Sequence, residues 1–235
     1  MDILNSLNIE SHLFQKVAII VYEGNIAIEG NMHICATNET LHEAMISLSE
    51  KLRATSTLNY VTDYLGRAIY FANNNDSIKQ AIIHGDKQTD IVFDDTQLST
   101  LAPLATAFRA ILAVGEGRIS MLEAVEDMRD AKYYFVGVKP TNGASIRPQD
   151  TVHKLTTIEI ERGDKKIETV ALFLSREAAL KHANNGKVPI SEITLSEAAK
   201  YWNYQMPISI EPHEEFSITI APDTILQVEI THNSN

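Results

Sequence analysis

The sequence is poor in the residues that build several common kinds of site. Cys35 is the only cysteine among 235 residues, which excludes an intramolecular disulfide and a cysteine-rich zinc site. The histidines are scattered, and none shows the His-x-x-x-His or His-Glu-x-x-His spacing of a helical zinc site. The sequence also lacks any visible internal repeat, heptad series or low-complexity tract. We therefore expect a globular chain without a cofactor or a metal ion.

Long apolar runs and a secretory leader are also missing. The N-terminal stretch up to Glu10 has no basic region followed by an apolar run, so we expect no signal peptide. No apolar stretch approaches the roughly 18–20 residues that cross a bilayer, so we expect no membrane association. The reducing cytoplasm is then the expected compartment for a chain with one cysteine.

Negative charge is what the chain has in excess. Its formal net charge is −11 at pH 7, both halves are acidic, and no run of basic residues occurs. Such a surface repels a phosphate backbone, so we expect no nucleic-acid partner. Solubility is the ordinary interpretation of this charge, and attraction to a basic protein is the more specific one.

The first half predicts alternating strands and helices. Apolar runs and turn residues predict strands at 17–22, within 25–36 and at 91–93. Capping and helical spacing predict helices at 40–52, 58–71, 77–84 and 100–114. Thr40 and Glu43 are the expected capping box of the first helix, and Pro103 is expected in the first turn of the last. The segment 58–71 also contains many strand-forming residues, and a helix is preferred there.

The second half predicts capped helices between hairpins. The expected helix starts are Ser120 with Glu123, Ser175, and Thr194 with Glu197. The expected strands are 132–138, 155–161, 169–174, 188–190, 207–211, 216–220 and 225–230. The polar stretch 84–96 is the preferred boundary, which gives domains at 1–95 and 96–235. The predicted fold class is α+β, with mixed or antiparallel sheets and packed helices in two small domains.

Three groups of residues could carry chemistry, and each has a simpler interpretation. The Gly115-Glu116-Gly117 segment lacks the third glycine and the preceding strand of a nucleotide-binding loop. His33 and Cys35 would share one face of a strand, but a catalytic thiolate needs an orienting base and a cleft, so a structural cysteine is favoured. Around His213, three glutamates could hold a metal ion, but a solvated hairpin tip is favoured.

A cluster of aromatic residues near the C-terminus is the best candidate for a protein contact. Trp and Tyr supply large, rigid contact area, although a packed core uses the same residues. With the acidic hairpin that follows, this cluster gives the predicted partner-binding residues: Tyr201, Trp202, Tyr204, Glu211, Glu214 and Glu215. No catalytic residue is predicted.

The order of elements from Ser120 onward resembles the N-terminal domain of the SseB family, bacterial proteins named for enhanced serine sensitivity. The likeness rests on the aromatic strand 133–136 and on the segment 170–180, a strand that leads into a capped helix. It also includes the hairpin 208–220, where Glu211 replaces the family's asparagine. The resemblance covers about residues 118–228. It implies an α+β domain without known catalytic residues, found in bacterial cytoplasmic proteins and in secretion or toxin–immunity settings.

These observations favour a non-enzymatic module that binds another protein, such as a bacterial immunity protein or a secretion-associated adaptor. One alternative is a small-molecule-binding enzyme with a site between the halves, for which Cys35, His33 and Glu215 are the candidate residues. Another is a phage or mobile-element protein that inhibits a host protein. The sequence alone leaves the oligomeric state open.

Overall fold

The computed structural model describes residues 9–53, 57–85, 90–140, 156–162, 164–184 and 187–233. These residues form helices packed on mixed and antiparallel sheets, which confirms the predicted α+β class. The chain divides into two compact units, Met1–Ala105 and Thr106–Asn235. The division between the units falls inside a helix that begins at Asp95. The domain boundary predicted from the sequence lies at the start of this helix.

The elements are as follows. The strands are β1 Lys16–Val21, β2 Asn31–Cys35, β3 Asn59–Tyr64, β4 Gln80–His84, β5 Ile91–Asp94, β6 Tyr133–Val136, β7 Thr157–Arg162, β8 Lys165–Leu172, β9 Ile190–Ile193, β10 Ile208–Ile210 and β11 Ile218–Ile220. The α-helices are α1 Asn38–Leu52, α2 Leu65–Asn73, α3 Asp95–Gly115, α4 Met121–Met128, α5 Arg176–His182, α6 Leu195–Tyr201 and α7 Pro222–Asn233.

The first unit contains a five-stranded sheet in the order β3-β1-β2-β4-β5. Strands β2 and β4 pair in parallel, and the other neighbours pair antiparallel. A parallel pair needs a long crossover, and here α1, β3 and α2 supply it. One face of the sheet packs on α1 through a buried cluster that includes Ile20, Cys35, Leu41 and Leu48.

From β8 onward, the second unit repeats the order of elements that the first unit shows from β2 onward. Its four-stranded sheet has the order β11-β10-β8-β7, with β8 and β10 parallel. The crossover between them again runs helix, strand, helix, through α5, β9 and α6. An isolated bridge from Tyr134 to Phe173 links β6 to the end of β8, as the pair Ala18–Cys35 links β1 to β2. The repeat escapes sequence inspection because it is kept in topology and in the capped start of the first crossover helix, and not in side-chain identity.

Helix capping is predicted correctly in the second unit and wrongly in the first. Ser120 and Thr194 form complete capping boxes, and Ser175 accepts a hydrogen bond from Ala178 N. The first helix starts earlier than expected, because Thr37 is its N-cap and Thr40, not Glu43, completes the box. A threonine at the third position replaces the usual Glu or Gln, so the motif escapes a search for the common pattern.

Two predicted helices in the first unit are partly or wholly strands. Residues 59–64 form β3, which pairs with β1 along its full length, and only the following residues enter α2. Residues 80–84 form β4, which is held between β2 and β5. In both segments the apolar spacing fits either period, and the pairing partner in the sheet decides the outcome.

The closing strand predicted at 225–230 is also wrong, because this segment lies in α7. Ile225 and Val228 are buried at helical spacing, and Pro222 occupies the first position, where its missing N–H is harmless. The helix packs against α4 and α6. The strand propensity of these residues is therefore outweighed by packing against the two neighbouring helices.

The long helix α3 starts before the predicted position. Asp94 accepts a hydrogen bond from Gln97 N at 2.9 Å, and Gln97 Oε1 accepts one from Asp94 N at 3.1 Å, which caps the helix start. Pro103 consequently lies inside the helix, on its exposed side. Contrary to the sequence-based expectation, α3 is long and apolar enough to cross a bilayer by length and composition, but half of its apolar window is buried. Buried core helices share these properties.

The position of the first cap can be tested by substitution. We expect Thr37→Ala to lower the free energy of unfolding by about 1 kcal/mol, because the backbone N–H of Thr40 loses the side-chain oxygen that caps it. Glu43→Ala should leave stability nearly unchanged, since Glu43 is exposed on α1. Chemical denaturation of both variants measures the difference. Equal losses in the two variants would contradict the cap at Thr37.

Candidate functional site

The predicted partner-binding residues do not form one exposed surface. Trp202 is 3% exposed and Glu211 is 4% exposed, so both belong to the interior of the second unit. Tyr201 and Tyr204 are half-buried, and Glu214 and Glu215 are exposed. The Tyr204 hydroxyl donates to Glu229 at 2.5 Å, and burial together with this carboxylate raises its pKa. The interior interpretation of Trp202 is therefore correct, and the four accessible residues remain a predicted contact.

Glu211 is instead a buried carboxyl group at the end of β10. Its Oε1 accepts a hydrogen bond from the backbone N–H of Leu174 at 2.6 Å, and its own N–H donates to Leu172. Burial raises the pKa of Glu211 to about 7, and the charge of Glu214 adds to this effect. The carboxyl group fixes the turn that carries β8 into Ser175, the N-cap of α5.

The turn after β10 brings together two histidines and a phenylalanine. His182 Nδ1 and His213 Nε2 lie 2.9 Å apart. The ring of Phe173 lies 5.1 Å from that of His182 and 6.3 Å from that of His213, measured between centroids. Burial and the neighbouring His213 lower the pKa of His182. His213, Glu214 and Glu215 are exposed, as the sequence predicts for a solvated hairpin tip. A ring contact between His213 and His182 also links this tip to α5.

The first unit has a cleft at the equivalent end of its parallel strands. The cleft has a volume of about 850 Å³ and is lined by residues of α1, of β2 and β4, and by Asp90. His33 Nδ1 and His84 Nε2 lie 2.9 Å apart inside it, and His84 Nδ1 lies 3.2 Å from Asp90 Oδ2. Burial, followed by the nearby His84, lowers the pKa of His33 to about 4, so this imidazole is neutral at physiological pH.

The positions that carry two ring side chains in the second unit carry smaller side chains in the first. Counted from the N-caps Thr37 and Ser175, Cys35 corresponds to Phe173 and Ala44 to His182. The large pair packs together in the second unit, whereas in the first unit the small Ala44 lines the cleft. Sequence inspection could have found the open position only if it had recognised the repeat.

Cys35 is a structural residue. It is 1% exposed and packs in the cluster between β2 and α1. Burial, together with the negative charge of Asp90, raises the pKa of its thiol to about 12, so the reactive thiolate does not form near neutral pH. The favoured interpretation of this cysteine is confirmed. His33 lies in the same unit, and Glu215 lies in the other.

Comparison with known proteins leaves the family open. No family model matches the chain, and no curated protein matches it. Among solved structures, the chain is similar to Anabaena Tic22, described as a protein of protein transport, with 14% identity over 89% of this chain and 93% of that chain. The TM-score of 0.25 is too low to carry an argument about fold or function.

The raised pKa of Glu211 predicts a pH-dependent stability. Its folded pKa of about 7 exceeds the ordinary value of 4.5, so folding favours the protonated carboxyl group. The stabilisation from the protonated carboxyl group is fully present below about pH 4.5. It is lost as the pH rises through about 7, which lowers the free energy of unfolding by up to roughly 3 kcal/mol.

We therefore expect Glu211→Gln to flatten the pH dependence of stability, because the amide stays neutral and its oxygen can still accept from Leu174 N. The measurement is the free energy of unfolding across this pH range. Glu215→Gln, at an exposed position of the same hairpin, is the matched control. An unchanged slope in Glu211→Gln would show that this carboxyl group does not titrate as inferred.

Proposed function

We propose that this protein binds an extended segment of another protein by adding it as a strand beside β3. The observation that carries the proposal is the exposure of this strand at the edge of the first unit's sheet. Tyr60 is 53% exposed and Val61 is 50% exposed, and the neighbouring Asn59 and Thr62 are also exposed. Adjacent residues of a strand point to opposite faces, so both faces are open at this end of β3.

The composition of β3 supports this proposal. Edge strands are usually protected by lysine, proline, bulges or short length, because their free backbone groups can pair with another chain. The strand Asn-Tyr-Val-Thr-Asp-Tyr contains none of the protecting residues and spans six residues. Its single charged side chain, Asp63, is engaged by Arg67 at 3.5 Å.

The other edges in the described part of the chain are better protected. Strand β5 is flanked by Asp90 and Asp95 and ends at Asp94, and β7 carries the exposed Glu159 and Glu161. Strands β6, β9 and β11 are short, with four, four and three residues. Strand β3 is therefore the edge best suited to strand addition, in which backbone hydrogen bonds give affinity and alternate side chains give specificity.

Other predictions from the sequence remain proposals. Tyr201, Tyr204, Glu214 and Glu215 are a second proposed contact, suited to a basic partner. Membership of the SseB family, a cytoplasmic location and an immunity or adaptor role are likewise proposals. The partial or full exposure of these two tyrosines and two glutamates is compatible with a protein contact. The edge of β3 is the preferred contact surface.

Strand addition predicts a specific effect of charge at the edge. Peptides selected from a random display library should bind the wild-type protein, and Val61→Lys should weaken that binding at least about ten-fold, because lysine disfavours edge pairing. Val92→Lys on the opposite edge strand is the matched control, since Val92 is 43% exposed. Calorimetry measures the affinities, and backbone amide NMR shifts locate the peptide. Equal affinity in both variants, or shifts confined to another element, would exclude β3 as the site.

A further inference from the structure

The cleft of the first unit contains two imidazole rings with their nitrogens directed at each other. His33 Nδ1 and His84 Nε2 are 2.9 Å apart, the ring planes differ by 8°, and the centroids are 5.1 Å apart. The two rings therefore lie nearly in one plane, end to end. When nothing is bound between the rings, one of these two nitrogens carries a proton and donates a hydrogen bond to the other. The same directions are those in which imidazole lone pairs bind a metal ion.

Asp90 holds one of these rings in the form that a metal ion requires. Its Oδ2 lies 3.2 Å from His84 Nδ1, so the carboxylate favours a proton on that nitrogen and leaves the lone pair on Nε2. A carboxylate behind a metal-binding histidine is a common arrangement, because it orients the ring and raises its basicity. Asp90 would thus act as a positioning residue.

The geometry and charge of the cleft suit a small cation. Zinc–imidazole bonds of about 2.0–2.1 Å at a tetrahedral angle place the two nitrogens roughly 3.3 Å apart, with each lone pair about 35° from the line between them. Binding therefore requires the rings to separate by a few tenths of an ångström and to turn toward the metal ion. Glu43 and Glu50 also line the cleft. Among the described residues that line it, Lys51 is the one lysine or arginine, and it is paired with Glu29 at 2.8 Å.

We propose that His33 and His84 bind a divalent first-row transition metal ion, such as Zn²⁺ or Cu²⁺, in the cleft of the first unit. No group of three or more His, Cys, Asp or Glu side chains in the described ranges is arranged to hold a metal ion. The protein therefore supplies two ligands, and water or a bound molecule completes the coordination. This site is open and exchangeable, unlike a structural zinc site with four protein ligands.

The second unit provides an internal control. His182 and His213 have the same nitrogen separation of 2.9 Å, but their rings are tilted by 34° and both contact Phe173. Among the described residues, no carboxylate is seen to orient either of these rings as Asp90 orients His84. We therefore place the metal ion at the first pair and not at the second.

The test is a titration of the full chain with Zn²⁺ and Cu²⁺, followed by calorimetry. His84→Ala should abolish binding, and Asp90→Asn should weaken it by about 10–100-fold, because the ring loses its orienting carboxylate. His182→Ala should leave the affinity unchanged. Circular dichroism verifies the fold of each variant.

Electron paramagnetic resonance of the Cu²⁺-loaded wild-type protein should show two bound imidazole nitrogens, and it keeps the proposal testable if His84→Ala does not fold. Three results would overturn the proposal: no binding by the wild-type protein, equal affinity in wild type and His84→Ala, or loss of binding only in His182→Ala.

Discussion

The parallel pairing of two central strands in each unit is the constraint on which the rest of the structure depends. β2 pairs with β4 in the first unit, and β8 pairs with β10 in the second. Because parallel strands cannot be joined by a tight turn, each pair needs a helix–strand–helix crossover. Both strands of a pair then end at the same edge of the sheet, beside the capped start of the first crossover helix.

The same architecture carries different chemistry in the two units. At the strand ends of the second unit, Glu211 turns inward and binds the backbone of the next turn, while Phe173 fills the space beneath α5. At the corresponding place in the first unit, His33 and His84 face each other in a cleft that α1 borders. The first unit thus keeps an accessible site where the second has used its side chains for packing.

The edges of the sheets show a similar difference. Short length or negative charge protects most of them, whereas β3 presents tyrosine, valine and threonine to solvent on both faces. The cleft and the β3 edge belong to the same unit. This unit is the part of the chain for which the sequence shows no family resemblance.

Local sequence determined the elements whose signals are local. Ser120, Ser175 and Thr194 begin helices because their side chains cap backbone N–H groups within the same turn, and the hairpin 208–220 follows from two apolar runs around a turn. Only the tertiary structure decided the states of β3, β4 and α7, since their apolar spacing fits both periods and their neighbours select one. The burial of Trp202 and Glu211 and the meeting of His33 with His84, 51 residues apart in sequence, also depend on long-range packing. A single sequence specifies the side chains, but it does not show which distant ones a shared strand end brings together.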